Sequence, residues 1–268
     1  MKVFPNCKIN LGLSVVERRP DGYHNLETLF LPVPLCDELT LEPAEKFSFE
    51  QNGILLDNSP LDNLVVKAHH LLSERYPQVE KVSISLKKNI PFGAGLGGGS
   101  SDAAFTLTAL NALFGLGCSF DELEGYAAKI GADCAFFVQN RAAYATGIGD
   151  ILEPVDFDLS DYHFVLLKPS DHVSTKEAYS GIKPTPSKVD LREAVKQPIE
   201  KWKDLIVNDF ELSVFPNHPR IEFLKNHLYE KGALYASMTG SGAAVFGLFE
   251  KGKVVDQSSV QEEEIILR

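Results

Sequence analysis

The sequence lacks the features that mark membrane, secreted and nucleic-acid-binding proteins. No apolar run approaches the ~20 residues of a membrane-spanning helix, and polar residues interrupt the apolar core that an N-terminal signal peptide would need. Lysine and arginine number 26 against 37 aspartates and glutamates, so the net charge is −11 and no general basic face serves nucleic acid. We therefore predict a cytoplasmic protein that binds neither a membrane nor nucleic acid.

Cysteine and histidine are too scattered for a disulfide framework or a tightly bound transition metal. The cysteines form no C-x-x-C pair, and the seven histidines form no H-E-x-x-H motif. We expect reduced thiols at all four positions, which are Cys7, Cys36, Cys118 and Cys134. An anionic small molecule remains a reasonable ligand, because a few local donors can dominate a pocket whatever the net charge.

The order of the predicted elements indicates the fold class. Strand patterns occur in groups beside helix patterns, which favours an α+β fold over a strictly alternating chain. The length of 268 residues suits one large domain or two small ones. A change of pattern near residues 150–160 predicts a boundary, with one domain over 1–153 and a second over 154–268.

Helix boundaries are predicted from capping residues and apolar periodicity. Ser59 and Pro60 are typical of a helix start, and Gly115 is typical of the end of the helix that follows the glycine-rich segment. Two further amphipathic helices are expected near 198–213 and 219–231.

The glycine-rich segment at residues 89–107, NIPFGAGLGGGSSDAAFTL, raises three interpretations. It contains a literal G-x-G-x-x-G at 93–98, but the acidic residue that a dinucleotide site needs about 20 residues later is absent, since 110–114 continues the helix. A nucleoside-triphosphate P-loop would need a lysine after the glycines, and there is none. A simple flexible turn before a capped helix is the third interpretation.

A phosphate site explains this segment better than a connector does. Glycines allow the backbone to approach a ligand closely, and the first turn of the next helix offers free N–H groups and the positive end of a dipole. We predict that Ser100, Ser101 and Asp102 cap this helix, and that serine hydroxyls donate to phosphate or bind Mg²⁺.

Five motifs in this chain together resemble those of the GHMP kinases, which include galactokinase, homoserine kinase and mevalonate kinase. In chain order the motifs are NCKINLGL at 6–13, RRPDGYHNLETLF at 18–30, PFGAGLGGGSSDAA at 91–104, GADCAFF at 131–137 and MTGSGAAVFG at 238–247. The triple glycine and the DGYH sequence are similar to the branch of the family whose substrate is a cytidine diphosphate-linked alcohol. The resemblance covers nearly the whole chain.

The motifs depart from the family pattern at a few positions. Asn6 and Cys7 replace Pro-Ala before the lysine, Cys134 and Ala135 replace Val-Pro after the aspartate, and Thr239 replaces the common serine. None of these positions is a proposed catalytic side chain.

The resemblance implies a fold and a reaction. The fold would pair an N-terminal domain like domain 2 of ribosomal protein S5 with a ferredoxin-like C-terminal domain. The reaction would be ATP-dependent phosphorylation of the 2-hydroxyl of the cytidine diphosphate-linked alcohol in non-mevalonate isoprenoid synthesis. ATP is then a substrate, and Mg²⁺ would accompany it near Ser101 without a tightly bound metal.

The resemblance also assigns the catalytic residues. Lys8 would hold the substrate hydroxyl and stabilise charge on the transferring group, and Asp133 would accept or orient the hydroxyl proton beside Lys8. From the residues alone, the pattern favours a solvated lysine at Lys8, on the polar face of a strand over 7–15, and Asp133 could be a turn or cap aspartate.

Binding residues follow from the same motifs. Asn10, Tyr23, His24 and Tyr179 would bind the substrate, with the aromatic residues and the imidazole forming a cytosine pocket. The turn at Gly240, Ser241 and Gly242 would close over the phosphates. ATP would contact Pro91, Phe92, Gly93, Ala94, Gly95, Leu96, Gly97, Gly98, Gly99, Ser100 and Ser101, with Asn63 and Lys88 at the adenine.

Two alternatives to this kinase remain open at the level of sequence. One is another GHMP kinase of a small alcohol, which would have no need of Tyr23 and His24. The other is a non-catalytic nucleotide-binding protein on the same fold, which the presence of both Lys8 and Asp133 disfavours. A monomer and a homodimer are both compatible with the sequence.

Overall fold

The computed structural model describes residues 1–54 and 62–252. No helix within these ranges is both long and apolar enough to cross a membrane. The strands are β1 (Lys2–Val3), β2 (Asn6–Arg18), β3 (His24–Cys36), β4 (Glu38–Pro43), β5 (Ser48–Gly53), β6 (Val82–Lys88), β7 (Ala143–Thr146), β8 (Ile151–Pro154), β9 (Tyr162–Leu167), β10 (Tyr235–Met238) and β11 (Val245–Glu250).

The same ranges contain α-helices of very different lengths. They are α1 (Leu64–Ser73), α2 (Gly98–Phe114), α3 (Phe120–Ile130), α4 (Phe136–Gln139), α5 (Thr175–Ser180), α6 (Leu191–Ala194), α7 (Trp202–Leu205), α8 (Glu211–Val214) and α9 (Pro219–Glu230). Short 3-10 turns occur at Pro77–Glu80, Ala132–Cys134 and Ile199–Lys201. This mixture of strands and helices confirms the α+β prediction.

The chain forms two compact units, each built from segments that are not contiguous in sequence. Of the described residues, the first contains 1–8, 32–54, 62–92 and 97–141, and the second contains 9–31, 93–96 and 142–252. The glycine-rich segment is divided in this way, since 93–96 belong to the second unit and its flanking residues to the first. A domain boundary after residue 153 stays a prediction.

In the first unit, α1, α2 and α3 pack together beside a four-stranded sheet of order β1-β4-β6-β5. The β4–β6 pair is antiparallel and the β5–β6 pair is parallel. Leu41 and Ile84 are fully buried partners in the β4–β6 register, and Leu107 and Leu110 of α2 are likewise fully buried. Burial of such side chains is worth roughly 1.5–3 kcal/mol each, and it fixes α2, the helix that follows the glycine-rich segment.

Capping residues explain where the helices of this unit begin and end. The α1 helix begins at Leu64 because the Asn63 side chain accepts a hydrogen bond from the Val65 N–H. The predicted start at Ser59 and Pro60 lies outside the described residues. The α2 helix ends, as predicted, at Gly115 in the left-handed conformation.

The second unit contains a four-stranded sheet of order β2-β3-β7-β8 and a three-stranded antiparallel sheet of order β10-β11-β9. The α9 helix contacts β10 and β11. Its Ile221 and Leu224 enter a core that also contains Val165 and Phe249. The predicted helix over 219–231 is therefore confirmed as α9.

The predicted helix over 198–213 is wrong in its continuity, because the chain forms a 3-10 turn, α7 and α8 instead. The interruption has a tertiary cause. Leu13 N–H donates to the Val207 carbonyl, and Asp209 N–H donates to the Leu13 carbonyl, so this segment pairs with β2. These hydrogen bonds replace the intrahelical ones that the periodicity predicted.

Candidate active site

Lys8 and Asp133 meet in the first unit. Lys8 comes from β2, and Asp133 from the 3-10 turn that follows α3, and Lys8 Nζ lies 3.6 Å from Asp133 Oδ2. The Lys8 side chain is only 4% exposed, whereas that of Asp133 is 34% exposed. Lys8 is therefore not a solvated strand lysine, and its carboxylate partner remains accessible to a substrate.

Gly97 brings this pair to the start of α2. Its φ of +69° suits glycine, and a Cβ placed there would lie 3.2 Å from Lys8 Cε and 3.1 Å from the Phe137 ring. Gly97 is also the residue that precedes the first turn of α2. The Lys8 side chain thus runs directly past the N-terminus of the longest described helix.

The N-terminus of α2 differs from the prediction in one respect. Ser100, Ser101 and Asp102 do not cap the helix, because it already begins at Gly98 and they lie within its first turns. Gly97 is the cap position and carries no side chain that could accept a hydrogen bond. The first N–H groups of α2 are therefore not covered by a side-chain cap, which suits an anion site.

The two serines occupy different environments. Ser100 hydrogen-bonds the Cys134 thiol beside Asp133, while burial raises the pKa of that thiol to about 11 and the serine opposes the shift. The Ser101 hydroxyl is buried and has no hydrogen-bond partner among the described residues. Ser101 is therefore the hydroxyl oxygen that a ligand at this helix end could engage.

Metal ligands are sparse in the part of the chain that the structure describes. It contains no group of three or more histidine, cysteine, aspartate or glutamate side chains arranged to hold a metal ion. Mg²⁺ usually keeps several waters and binds through one or two protein oxygens together with substrate phosphates. The unpaired Ser101 hydroxyl fits that mode, because it supplies a single oxygen next to a phosphate-binding helix end.

Two of the predicted adenine contacts already have protein partners. The Asn63 side chain caps α1 through Oδ1, and its Nδ2 donates to Gln51 Oε1 at 2.8 Å. The Lys88 ammonium group is buried against the carboxylates of Asp37 and Asp102. Contact of these residues with adenine stays a prediction, and for Lys88 it would involve atoms other than Nζ.

In the second unit, the turn after β10 contacts the tip of the glycine-rich segment. Gly95 has a φ of +75°, and a Cβ there would collide with the Thr239 carbonyl oxygen, so only glycine fits. The Ala244 N–H donates to the Ala94 carbonyl at 3.3 Å. The two predicted phosphate segments of this unit are thus brought together.

Asn10 lies beside the same turn. Its N–H donates to the Thr239 hydroxyl at 2.9 Å, and its side-chain Nδ2 donates to the Thr28 hydroxyl at 3.0 Å. A Cβ on Gly240 would lie 3.2 Å from Asn10 Oδ1. The threonine that replaces the common serine at 239 therefore retains a hydroxyl that orders the strand and the turn.

The aromatic residues of the second unit form a stack. The His24 and Tyr179 rings lie 4.7 Å apart at an interplanar angle of 17°, and Phe210 meets Tyr179 edge-on at 4.8 Å. No base fits between His24 and Tyr179 at this separation. Tyr23 is 62% exposed in the turn that Gly22 allows, so its ring is accessible for stacking.

Several residues that hold these segments were not predicted as site residues. Asn208 is buried, and its Nδ2 donates to the carbonyls of Met238 and Gly240, so it orders the turn after β10. His172 lies against Gly93, where an added Cβ would be 2.7 Å from the imidazole. Both are single polar residues outside any recognised motif, so only their hydrogen bonds and contacts reveal them.

Comparison with known proteins agrees with this geometry. The family model for the GHMP kinases N terminal domain matches residues 63–141, and the model for GHMP kinases C terminal matches residues 191–259. A 4-diphosphocytidyl-2-C-methyl-D-erythritol kinase of Parabacteroides distasonis is 53% identical over 94% of this chain and 92% of its own length. The chain belongs to the GHMP kinases.

Further relatives place this GHMP kinase within the family. The enzyme of that same name from Bacteroides thetaiotaomicron is 52% identical over 93% of this chain and 92% of its own length. A crystal structure titled 4-(cytidine 5'-diphospho)-2C-methyl-D-erythritol kinase matches with a TM-score of 0.81 and 34% identity over 92% of this chain and 90% of that one.

A distant structural relative confirms the fold. Methanococcus jannaschii mevalonate kinase matches with a TM-score of 0.69 at 12% identity over 93% of this chain and 90% of that one, which shows the fold alone. This match and the 34%-identical crystal structure confirm the two-domain GHMP kinase fold, and the relatives at 53% and 52% identity confirm the kinase activity that the sequence implied.

Proposed function

We propose that this GHMP kinase transfers the γ-phosphoryl group of ATP to the 2-hydroxyl of 4-diphosphocytidyl-2-C-methyl-D-erythritol, a step of the non-mevalonate route to isoprenoid precursors. The observation that carries the proposal is the Lys8–Asp133 pair beside Gly97 at the start of α2. Phosphoryl transfer depends on positioning and charge stabilisation more than on covalent catalysis, and this arrangement supplies both. The names of the relatives at 53% and 52% identity support the identity of the alcohol.

The Lys8–Asp133 pair acts on the attacking hydroxyl. Asp133 accepts a hydrogen bond from the 2-hydroxyl and takes its proton as the oxygen attacks the γ-phosphorus. The new O–P bond forms while the bond from the γ-phosphorus to the bridging oxygen breaks, and ADP leaves with that electron pair. Lys8 holds the hydroxyl oxygen and stabilises negative charge on the transferring group.

The glycine-rich segment binds the triphosphate. Residues 91–101 supply backbone N–H groups, and those at the start of α2 lack a side-chain cap. Ser101 would hold Mg²⁺ through its hydroxyl, and the ion, when bound with ATP, would neutralise phosphate charge. In the second unit, Gly240, Ser241 and Gly242 would bind phosphate together with residues 93–96, which the contacts of Gly240 and Gly242 with Gly95 support.

Cytosine recognition is the role of the second unit's aromatic residues. The exposed Tyr23 ring stacks on the base, and His24 offers ring nitrogens to the base edge. Tyr179 contributes by holding His24 in its stacked orientation, since the two rings are already in contact. Asn10 orders the adjoining strand and turn through Thr28 and Thr239 and binds the alcohol.

The compartment, the oligomeric state and the excluded partners of the enzyme are part of the proposal. We infer a cytoplasmic monomer or homodimer that binds neither nucleic acid nor membranes, supported by the net charge of −11 and four free cysteines. Light scattering of the purified protein distinguishes monomer from dimer.

The decisive experiment measures ADP release with ATP, Mg²⁺ and 4-diphosphocytidyl-2-C-methyl-D-erythritol. Methylerythritol without the cytidine diphosphate is the matched substrate control. We expect turnover only with the cytidylated alcohol, and a higher KM for it in Tyr23→Ala and His24→Ala.

Two results would redirect the assignment. Equal turnover of both alcohols, with no effect of the two substitutions, would favour another small-alcohol kinase. ATP binding without turnover of any alcohol would favour a non-catalytic nucleotide-binding protein.

A further inference from the structure

Three buried charged side chains of the first unit form a hydrogen-bonded group that includes neither Lys8 nor Asp133. Lys88 Nζ donates to Asp37 and, at 2.7 Å, to Asp102 Oδ2. The side chains of Lys88, Asp37 and Asp102 are 2%, 0% and 3% exposed. We call these three residues the stem triad, because they hold the chain just before and just after the glycines at 93–99.

Asp37 fixes the residues that enter this segment. Its Oδ1 accepts hydrogen bonds from the N–H groups of Asn89 and Ile90, at 2.5 and 2.8 Å. The Asn89 side chain also donates to the Cys36 carbonyl at 2.9 Å. The backbone immediately before Pro91 is therefore held by three hydrogen bonds to one short stretch of chain.

Asp102 fixes the residues that leave the segment. It lies in the second turn of α2, and its carboxylate is bound to Lys88. The start of α2 also contacts the residues at and after the end of β6, since a Cβ on Gly98 would lie 2.7 Å from Ile90 Cγ2 and 3.4 Å from Lys88 Nζ. The triad thus joins the end of β6 to the start of α2 across the base of the glycine-rich segment.

The charge balance of the triad argues against a role in stability alone. Two carboxylates share one ammonium group in a buried site, and burial of such groups is costly compared with apolar residues of similar size. Burial raises the pKa of Asp102 well above its usual range, and Asp37 adds to that shift. Burial opposes the charge on Lys88, but the two carboxylates outweigh it and raise the pKa of the lysine.

We propose that the stem triad positions the first N–H groups of α2 for the triphosphate. It does so by fixing the distance between the end of β6 and the start of α2. The triad residues are positioning residues, since they act through the backbone and touch no reacting atom. The inference rests on the proposed function for the identity of the nucleotide, and it predicts a loss of nucleotide affinity without a loss of affinity for the alcohol.

Substitution of Asp102 tests the proposal. Asp102→Ala removes the link to α2 but leaves the charge-balanced Lys88–Asp37 pair, so we expect it to fold. Displacement of positioned groups by about 1 Å can lower a reaction rate by up to about a hundredfold. We expect the KM for ATP and the Kd for ADP to rise at least tenfold. The KM for the alcohol should stay within about twofold, since its contacts are untouched.

Two further variants provide rescue and control. Asp102→Asn keeps an oxygen that can accept from Lys88, so its ADP affinity should lie near that of the wild type. Lys87→Met removes the exposed Lys87–Glu38 pair, 2.9 Å long, from the same strand and should leave ADP affinity unchanged. All measurements are made well below the melting temperature of each variant.

The outcomes separate the two proposals. Wild-type ADP affinity in folded Asp102→Ala would overturn the positioning role, as would an equal loss in Lys87→Met. If Asp102→Ala does not fold, the combination of Asp37→Asn, Lys88→Met and Asp102→Asn removes all three charges together and must show the same loss of ADP affinity. Weakened ADP binding in a protein that phosphorylates no cytidylated alcohol would support the triad and reject the proposed function.

Discussion

Lys8 and Lys88 are both buried in the first unit, yet carboxylates hold them in opposite ways. Lys8 has Asp133 at 3.6 Å, and that aspartate is one-third exposed. Lys88 is in direct hydrogen-bond contact with Asp37 and Asp102, and all three side chains are at most 3% exposed. The first pair leaves its carboxylate open to a further partner, whereas the charged groups of the second are buried against one another.

The difference separates residues that do chemistry from residues that hold the chemistry in place. A carboxylate that must accept a proton from a substrate needs an accessible oxygen and a cation that is near but not tightly bound to it. A group that orders backbone needs short contacts that solvent does not disturb. We therefore expect substitutions at the two lysine groups to separate activity from stability.

The largest expected effect is on turnover, at Asp133. Asp133→Asn keeps the shape of the side chain but removes its basicity, so we expect kcat to fall about a thousandfold. Because the aspartate is partly exposed and its ion pair is long, the free energy of unfolding should change by less than about 1 kcal/mol. Steady-state ADP release and urea denaturation measure the two quantities.

Asp161→Asn is the matched control, because Asp161 is exposed and remote in sequence from every motif. It should leave both quantities unchanged. Turnover of Asp133→Asn at the wild-type rate would remove the aspartate from the reaction.

At Lys88 we expect the large effect on the free energy of unfolding instead of on turnover. Lys88→Met leaves two buried carboxylates without their cation, which should cost about 3–5 kcal/mol of unfolding free energy. Lys87→Met, on the same strand but exposed, should cost less than about 1 kcal/mol. Chemical denaturation of both variants decides the point, and equal losses would mean that burial does not distinguish the two lysines.

A smaller effect is expected at Gly97, which lies against Lys8. Gly97→Ala forces a Cβ to within 3.2 Å of Lys8 Cε, whereas Gly115 has a similar φ of +59° and open space around it. Both substitutions should cost roughly 1–2 kcal/mol of stability from the left-handed backbone. Only Gly97→Ala should lower kcat, by about tenfold, because it displaces the lysine. Equal kcat values in the two variants would show that the contact with Lys8 is unimportant.

The catalytic pair could be predicted from the sequence because both residues lie in motifs. Lys8 and Asp133 are 125 positions apart in the numbering (133 − 8), and periodicity alone left both with ordinary structural interpretations. Only the matched motifs brought them together as expected partners. The α+β class, the C-terminal end of α2 at Gly115 and the bounds of α9 were also predictable, since local capping and apolar spacing determine them.

The remaining features depend on tertiary hydrogen bonds that have no local signature. Asp37 is a single aspartate between two strands, and its function becomes visible only beside Asn89 and Ile90. The predicted helix over 198–213 failed for the same reason, because pairing with Leu13 overrides its periodicity. The predicted cap at Ser100, Ser101 and Asp102 was wrong because Gly97 is the cap and α2 already begins at Gly98.

The smallest expected effect concerns a third kind of ionic contact, at His218 in the second unit. Its Nδ1 lies 3.1 Å from Asp171 and its Nε2 lies 3.0 Å from Glu177, and these are the charged groups that act on the ring. Burial alone would lower the pKa of His218, but the two carboxylates outweigh it and raise the pKa above 6.5. The imidazolium can donate from both nitrogens, whereas the neutral ring can donate from only one.

The raised pKa gives the stability of this contact a defined direction with pH. Its contribution is fully present below the unfolded-state pKa, near 6.5, and is lost as the pH rises through the higher folded-state pKa. Melting temperature measured from pH 5 to 9 should therefore fall by a few degrees more in the wild type than in His218→Gln, whose amide does not titrate. Parallel curves for the two proteins would mean that the carboxylates do not hold the charged ring. Because Glu177 shares α5 with Tyr179, the same pH change should weaken binding of the cytidylated alcohol only slightly, through the stack on His24.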